Sequence, residues 1–111
     1  CPGGRCLVVE GDELVVVEAA PSDRYVPSVD RLFRSAATSL GPEVVAAVLT
    51  GMGDDGAEGV PLLAESGALV LAESAETAVI HGMPGAALRT GAVHEELPLH
   101  ALAERLAREL R

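Results

Sequence analysis

"EVVAAVLTGMGDDGAEGVPLLAESGALVLAE", residues 43–73, decides the fold. It opens with "EVVAAVLT" (43–50), an apolar run of strand length that suits a strand buried on both faces of a parallel sheet. A glycine-rich loop follows. "AEGVPLLAESG" (57–67) then reads as a helix that stops at Gly67, with Pro61 acceptable only in its first turn. "ALVLAE" (68–73) is a second buried strand. Strand, loop, helix and strand in that order predict two parallel strands joined by a crossover helix.

The flanking sequence extends the pattern. Upstream, "CLVVEGDELVVVE" (6–18) has two β-branched runs around Glu10-Gly11-Asp12-Glu13 and predicts a β-hairpin. "AAPSDRYVP" (19–27) is a connection. "SVDRLFRSAATSL" (28–40) has apolar residues at helical spacing, with Ser28 as the N-cap and Gly41-Pro42 as the stop. Downstream, "SAETAVI" (74–80) reads as one or two helical turns, and "HGMPGAALRTG" (81–91) as a short helix from Pro84 to Gly91. "AVHEELP" (92–98) is a short strand, and "LHALAERLARELR" (99–111) an amphipathic helix with Leu102, Leu106 and Leu110 on one stripe. The predicted class is α/β: a mostly parallel sheet with flanking helices and an N-terminal β-hairpin.

Composition narrows the partners. Seventeen acids against eight bases leave a net charge of −9, which a phosphate backbone repels, so nucleic acid is not an expected partner. Tyr25 and Phe33 are the only aromatic residues, too few for a base-stacking surface. Cys1 and Cys6 have no histidine or further cysteine near them in sequence, so no zinc site is expected. They read as a reduced pair, with a disulfide as the alternative. No apolar run reaches the ~18 residues of a membrane span, and no signal peptide is recognisable, which points to the cytoplasm without membrane insertion.

The loop Gly51-Met52-Gly53-Asp54-Asp55-Gly56 reads literally as GxGxxG and admits three interpretations. A dinucleotide site is one, since Glu73 lies 20 residues after Gly53, where an acid could take a ribose hydroxyl. Two carboxylates beside a pyrophosphate oppose it. Caps are the second, because acids favour a helix N-terminus. The third is a functional acid: an aspartate at the carboxyl end of a parallel strand can orient a histidine and stabilise it once protonated.

Three motifs in order, "YVPSVDRLFRSAA" (25–37), "TGMGDDGAEG" (50–59) and "HGMPGAAL" (81–88), resemble the catalytic domain of the chemotaxis protein-glutamate methylesterases, the CheB type. "PGGRCLVVEGDELVVV" (2–17) is similar to that family's hairpin, and the resemblance covers nearly the whole chain. It implies a doubly wound α/β domain carrying a Ser-His-Asp esterase that removes methyl groups from glutamate esters on methyl-accepting chemoreceptors and deamidates certain receptor glutamines. By match, the triad acid is Asp55, preceding Gly56. Met52, Gly53, Gly56 and Ser28 fall near the implied active site. No metal and no organic cofactor is implied.

The family's serine and histidine belong upstream of the matched region, and no Gly-x-Ser-x-Gly turn occurs in these 111 residues. Residues 1–111 therefore read as the C-terminal part of the catalytic domain, expected to be inactive alone. The Ser/His-bearing part and any response-regulator receiver domain lie outside them. The strand at 43–50 would then expose an apolar edge. The sequence departs from the family's pattern at several positions. His81 stands where an aromatic is usual, Val26 and Gly85 where basic residues are common, and Cys6 where histidine is common. The implied partners are methylated receptor helices and a receiver domain. The alternatives are a catalytically incomplete partner-binding domain and the dinucleotide reading.

Overall fold

The computed structural model describes residues 1–110. Strands β1 (Arg5–Glu10) and β2 (Glu13–Glu18) form the antiparallel hairpin, with Glu10 opposite Glu13 across the two-residue turn. Helix α1 (Val29–Ser39) starts at Ser28, whose Oγ accepts the Arg31 N–H at 3.1 Å. Two serines of α1 hold the hairpin in place. The Ser35 hydroxyl accepts the Val9 N–H at 2.8 Å, and the Ser39 hydroxyl donates to the Val9 carbonyl at 3.2 Å.

Strands β3 (Val45–Val48), β4 (Leu69–Glu73) and β5 (Glu95–Leu97) form one parallel sheet in the order β3-β4-β5. Helix α2 (Gly59–Glu65) joins β3 to β4, α3 (Gly82–Arg89) joins β4 to β5, and α4 (Leu99–Glu109) follows. Alternation along a strand sends Val70 and Leu71 to opposite faces. Val70 clusters with Ala46, Val48, Val60, Leu63, Ala87 and Ala36, against Leu32 and Phe33 of α1. Leu71 is also fully buried but lies outside that cluster, while α4 packs on β4 and β5 and buries Leu102. Helices therefore cover both faces of the sheet, as the predicted class requires. The core is almost entirely Val, Leu and Ala, and each fully buried Val or Leu side chain contributes about 1.5–3 kcal/mol.

Besides α3, which starts at Gly82 rather than Pro84, four details differ from the sequence reading. The apolar run 43–50 yields a strand only over Val45–Val48, because Gly41–Glu43 form a 3-10 turn around Pro42. Its burial alternates: Ala46 and Val48 are buried, Val45 and Ala47 only half-buried, since α4 reaches β4 and β5 but covers β3 incompletely. No strand pairs with the outer edge of β3 among the described residues. Residues 74–80 form one turn, closed by the Ala78 N–H on the Ser74 carbonyl at 3.0 Å, and no helix. It cannot propagate, because the Ile80 backbone is engaged by Thr50 and Gly51. Finally, Leu110 follows the end of α4 and is 79% exposed, so the apolar stripe stops short of it.

Cys1 is exposed, Cys6 is buried, and neither is bonded to the other. No helix among the described residues is long and apolar enough to cross a membrane. His94 and His100 are both exposed, yet the Nδ1 of His94 accepts the Val70 N–H at 3.0 Å at the start of the central strand.

Candidate active site

The loop between β3 and α2 leaves the sheet at the carboxyl end of its parallel strands, where open α/β sheets gather functional groups. Asp55 lies within it and is only 5% exposed. Its Oδ2 accepts the Val29 N–H at 2.8 Å and its Oδ1 accepts the Asp30 N–H at 3.0 Å. These are the first two residues of α1, whose unpaired N–H groups and dipole favour a negative charge there. The carboxylate is thereby held in one orientation. Each of its oxygens retains a second lone pair for a further donor.

Asp30 returns the contact. Its Oδ1 accepts the Glu58 and Gly59 N–H groups at 3.0 and 2.9 Å, at the entry to α2. Each helix N-terminus is thus capped by an aspartate from the other helix or its leading loop. The exchange needs the two helices close together, and a Cβ on Gly59 would lie 2.6 Å from the Phe33 Cβ. Burial, and behind it the neighbouring Asp55 charge, holds the Asp30 carboxyl above its ordinary 3.8, against the lowering effect of the Gly59 N–H.

Two glycines bend the loop. Gly53 has φ +90° and Gly56 φ +100°, in the left-handed region that side chains rarely adopt. Both also face neighbours closely: a Cβ on Gly53 would lie 2.8 Å from the Tyr25 hydroxyl, and one on Gly56 3.3 Å from Val29 Cγ1. Gly51 packs on Met83, and its backbone bonds to Ile80 and Met83 tie the loop to α3. Ser28 is buried beside Asp55, with its hydroxyl occupied as the α1 cap. Met52 is 76% exposed at the loop surface. The structure thus gathers Ser28, Gly53, Asp55 and Gly56 around the start of α1 and leaves the Met52 side chain in solvent.

Asp54 takes a different direction. It accepts the Tyr25 hydroxyl at 2.7 Å and pairs with Arg24 at 3.2 Å. The Tyr25 hydrogen bond, then the Arg24 charge, holds its carboxyl below the ordinary 3.8. A carboxyl depressed by folding stabilises the fold above its unfolded pKa, and that contribution disappears as pH falls through the depressed value. Asp30 acts oppositely, since its ionisation as pH rises above 3.8 towards its raised value costs stability. Tyr25→Phe removes chiefly the Asp54 contribution. Its acid unfolding midpoint, followed by circular dichroism, is expected at higher pH than that of the unaltered protein, and an unchanged midpoint would contradict this.

The capping interpretation of the loop acids is corrected in its detail: neither Asp54 nor Asp55 caps the helix that follows them. The dinucleotide interpretation meets two obstacles. The N–H groups at the start of α2, where a pyrophosphate would sit, are occupied by Asp30. Glu73, the candidate ribose ligand, is 2% exposed and bonded to Thr50 and Thr77. Among the described residues no three His, Cys, Asp or Glu side chains converge as a metal site.

Sequence reasoning missed the roles of Asp30, Tyr25 and Glu73. Asp30 carried the signal of an acid in the first turn of a helix, which suggests a cap for its own helix rather than for α2. Tyr25 and Glu73 carried no local signal for the contacts they make. His81 contacts the Glu73 carbonyl through Nε2 at 3.1 Å beside Gly85.

A family model described as CheB methylesterase matches residues 1–106. A protein-glutamate methylesterase/protein-glutamine glutaminase of Anaeromyxobacter dehalogenans (strain 2CP-C) is 50% identical, over 95% of this chain and 32% of its own length. One from Myxococcus xanthus (strain DK1622) is 48% identical, over 96% of this chain and 32% of its own length. The chain therefore spans about a third of the length of these curated relatives. The crystal structure of the Thermotoga maritima CheB methylesterase catalytic domain matches with a TM-score of 0.80 and 28% identity, covering 94% of this chain and 56% of that one.

Proposed function

Because this chain belongs to the CheB methylesterase family, we propose that it is the acid-bearing part of a protein-glutamate methylesterase and glutamine deamidase, with Asp55 as the triad aspartate. The observation that carries this reading is the Asp55 carboxylate, buried, oriented by two N–H groups of α1, and located at the carboxyl end of the sheet. A carboxylate held in this way can accept the N–H of an imidazole, select its tautomer and stabilise its cation. The serine and histidine would come from the remainder of a longer polypeptide.

In that mechanism the histidine takes the serine proton as the oxygen attacks the ester carbonyl carbon, and backbone N–H groups hold the oxyanion. The imidazolium then protonates the departing methoxide, leaving an acyl-serine and methanol. Water, deprotonated by the same imidazole, attacks the acyl carbon and releases the glutamate carboxylate and the free serine. For a glutamine side chain the leaving group is ammonia. Met52, Gly53, Gly56 and Ser28 shape the surroundings of Asp55: the glycines by their bends, Ser28 by fixing the start of α1, and Met52 as an exposed apolar contact for substrate. Methylated chemoreceptor helices are the proposed substrate and a receiver domain the proposed regulatory partner, in the cytoplasm.

Methanol release from a methylated receptor fragment tests the reading. The full-length protein is expected to release it and residues 1–111 alone are not. A folded full-length protein without activity would favour a partner-binding domain instead.

A further inference from the structure

Glu73 is the last residue of β4, the central strand, and is 2% exposed. No cationic side chain pairs with it among the described residues. Such a carboxylate is costly to bury, and it is satisfied here by neutral donors alone. Its Oε1 accepts the Thr50 N–H at 2.9 Å and its Oε2 accepts the Thr77 hydroxyl at 2.8 Å. Thr77 Oγ1 in turn accepts the N–H of Leu99, the first residue of α4, at 2.8 Å. One acceptor-only side chain thus joins the start of the Asp55 loop, the 74–78 turn and α4. A glutamine offers one acceptor and one donor group, so it cannot accept from both threonines.

Thr50 is fixed from the other side as well. Its hydroxyl donates to the Ile80 carbonyl and accepts the Ile80 N–H, at 3.2 and 2.8 Å. The far end of the loop is held by Asp30 at Glu58 and Gly59. Asp55 lies between these two clamps. We propose that Glu73 is a positioning residue: through Thr50 it sets where the loop leaves β3, and hence where the Asp55 carboxylate stands. The kinetic consequence rests on Asp55 being the triad acid, and the structural consequence does not.

The two parts are separated by measuring both in the full-length protein. Amide hydrogen exchange at Val29 and Asp30, the donors to Asp55, reports the position of the carboxylate directly. In Glu73→Ala their protection is expected to fall about tenfold relative to that of Val70, the order expected from one weakened hydrogen bond. Glu73→Gln, which keeps an acceptor for Thr50, is expected to restore most of it. If Glu73→Ala does not fold, Glu73→Leu, which fills the space but offers Thr50 no acceptor, carries the same test. Unchanged protection at Val29 and Asp30, or a loss in step with Val70, would overturn the proposal.

Kinetically, Glu73→Ala is expected to lower kcat about tenfold at constant KM, and to lower it no further in an Asp55→Asn background. Equal losses in both backgrounds would show a general structural role and overturn the proposal. Full activity of Asp55→Asn itself would instead refute the triad reading, leaving the exchange result to decide the role of Glu73.

Discussion

Asp55→Asn in the full-length protein is expected to lower kcat for ester hydrolysis about 10⁴-fold with KM little changed, the loss seen when the acid of a serine-protease triad is made an amide. The substitution is nearly isosteric, yet it alters two things. The amide oxygen can still accept one N–H of α1, but the amide nitrogen then faces the other, Val29 or Asp30, as donor against donor. The same amide cannot hold an imidazole in the tautomer that accepts the serine proton. The first effect costs about 1–3 kcal/mol of stability, read by urea unfolding. The second appears in kcat, measured as methanol release from a methylated receptor fragment. Undiminished kcat in a folded variant would reduce Asp55 to a cap for α1.

Gly82→Ala is expected to destabilise the protein by about 3 kcal/mol, lowering Tm by roughly 10 °C. Gly82 begins α3, and a Cβ there would lie 2.7 Å from the Gly51 carbonyl oxygen, 3.0 Å from the Gly53 nitrogen and 3.1 Å from the Gly53 oxygen. All three are backbone atoms, so no side chain can rotate away and the loop itself must shift. The loop carries Asp55, so methanol release is expected to fall as well. Gly3→Ala is the control, because nothing lies within 4 Å of its Cβ position. An equal Tm for the two variants, by calorimetry, would show that the loop yields without cost.

The periodic features were legible from residues 1–111 alone. The β-branched runs around Gly11-Asp12 specified the hairpin, Ser28 and Gly41-Pro42 bracketed α1, and two apolar runs flanking a helix specified the parallel pair. Each is a local preference, expressed within a few residues of the signal. The boundaries that shifted did so where a neighbour competed. Pro42 drew the start of β3 into a turn, and Thr50 captured Ile80 before the 74–80 turn could extend.

The candidate site was legible as a loop and an acid, and illegible as a set of partners. That Asp55 stands at the carboxyl end of a strand follows from its distance past "EVVAAV" in the chain. Which N–H groups it receives does not, because Val29 and Asp30 lie 26 and 25 residues away. Asp30 caps α2 from 28 and 29 residues upstream, Tyr25 meets Asp54 across 29, and Glu73 meets Thr50 across 23. By itself the sequence determined the kinds of element, their order and the carboxylates available. Only the tertiary structure decided which carboxylate serves which helix, because that depends on the packing of α1 against α2, and residues so far apart become hydrogen-bond partners only once that packing exists.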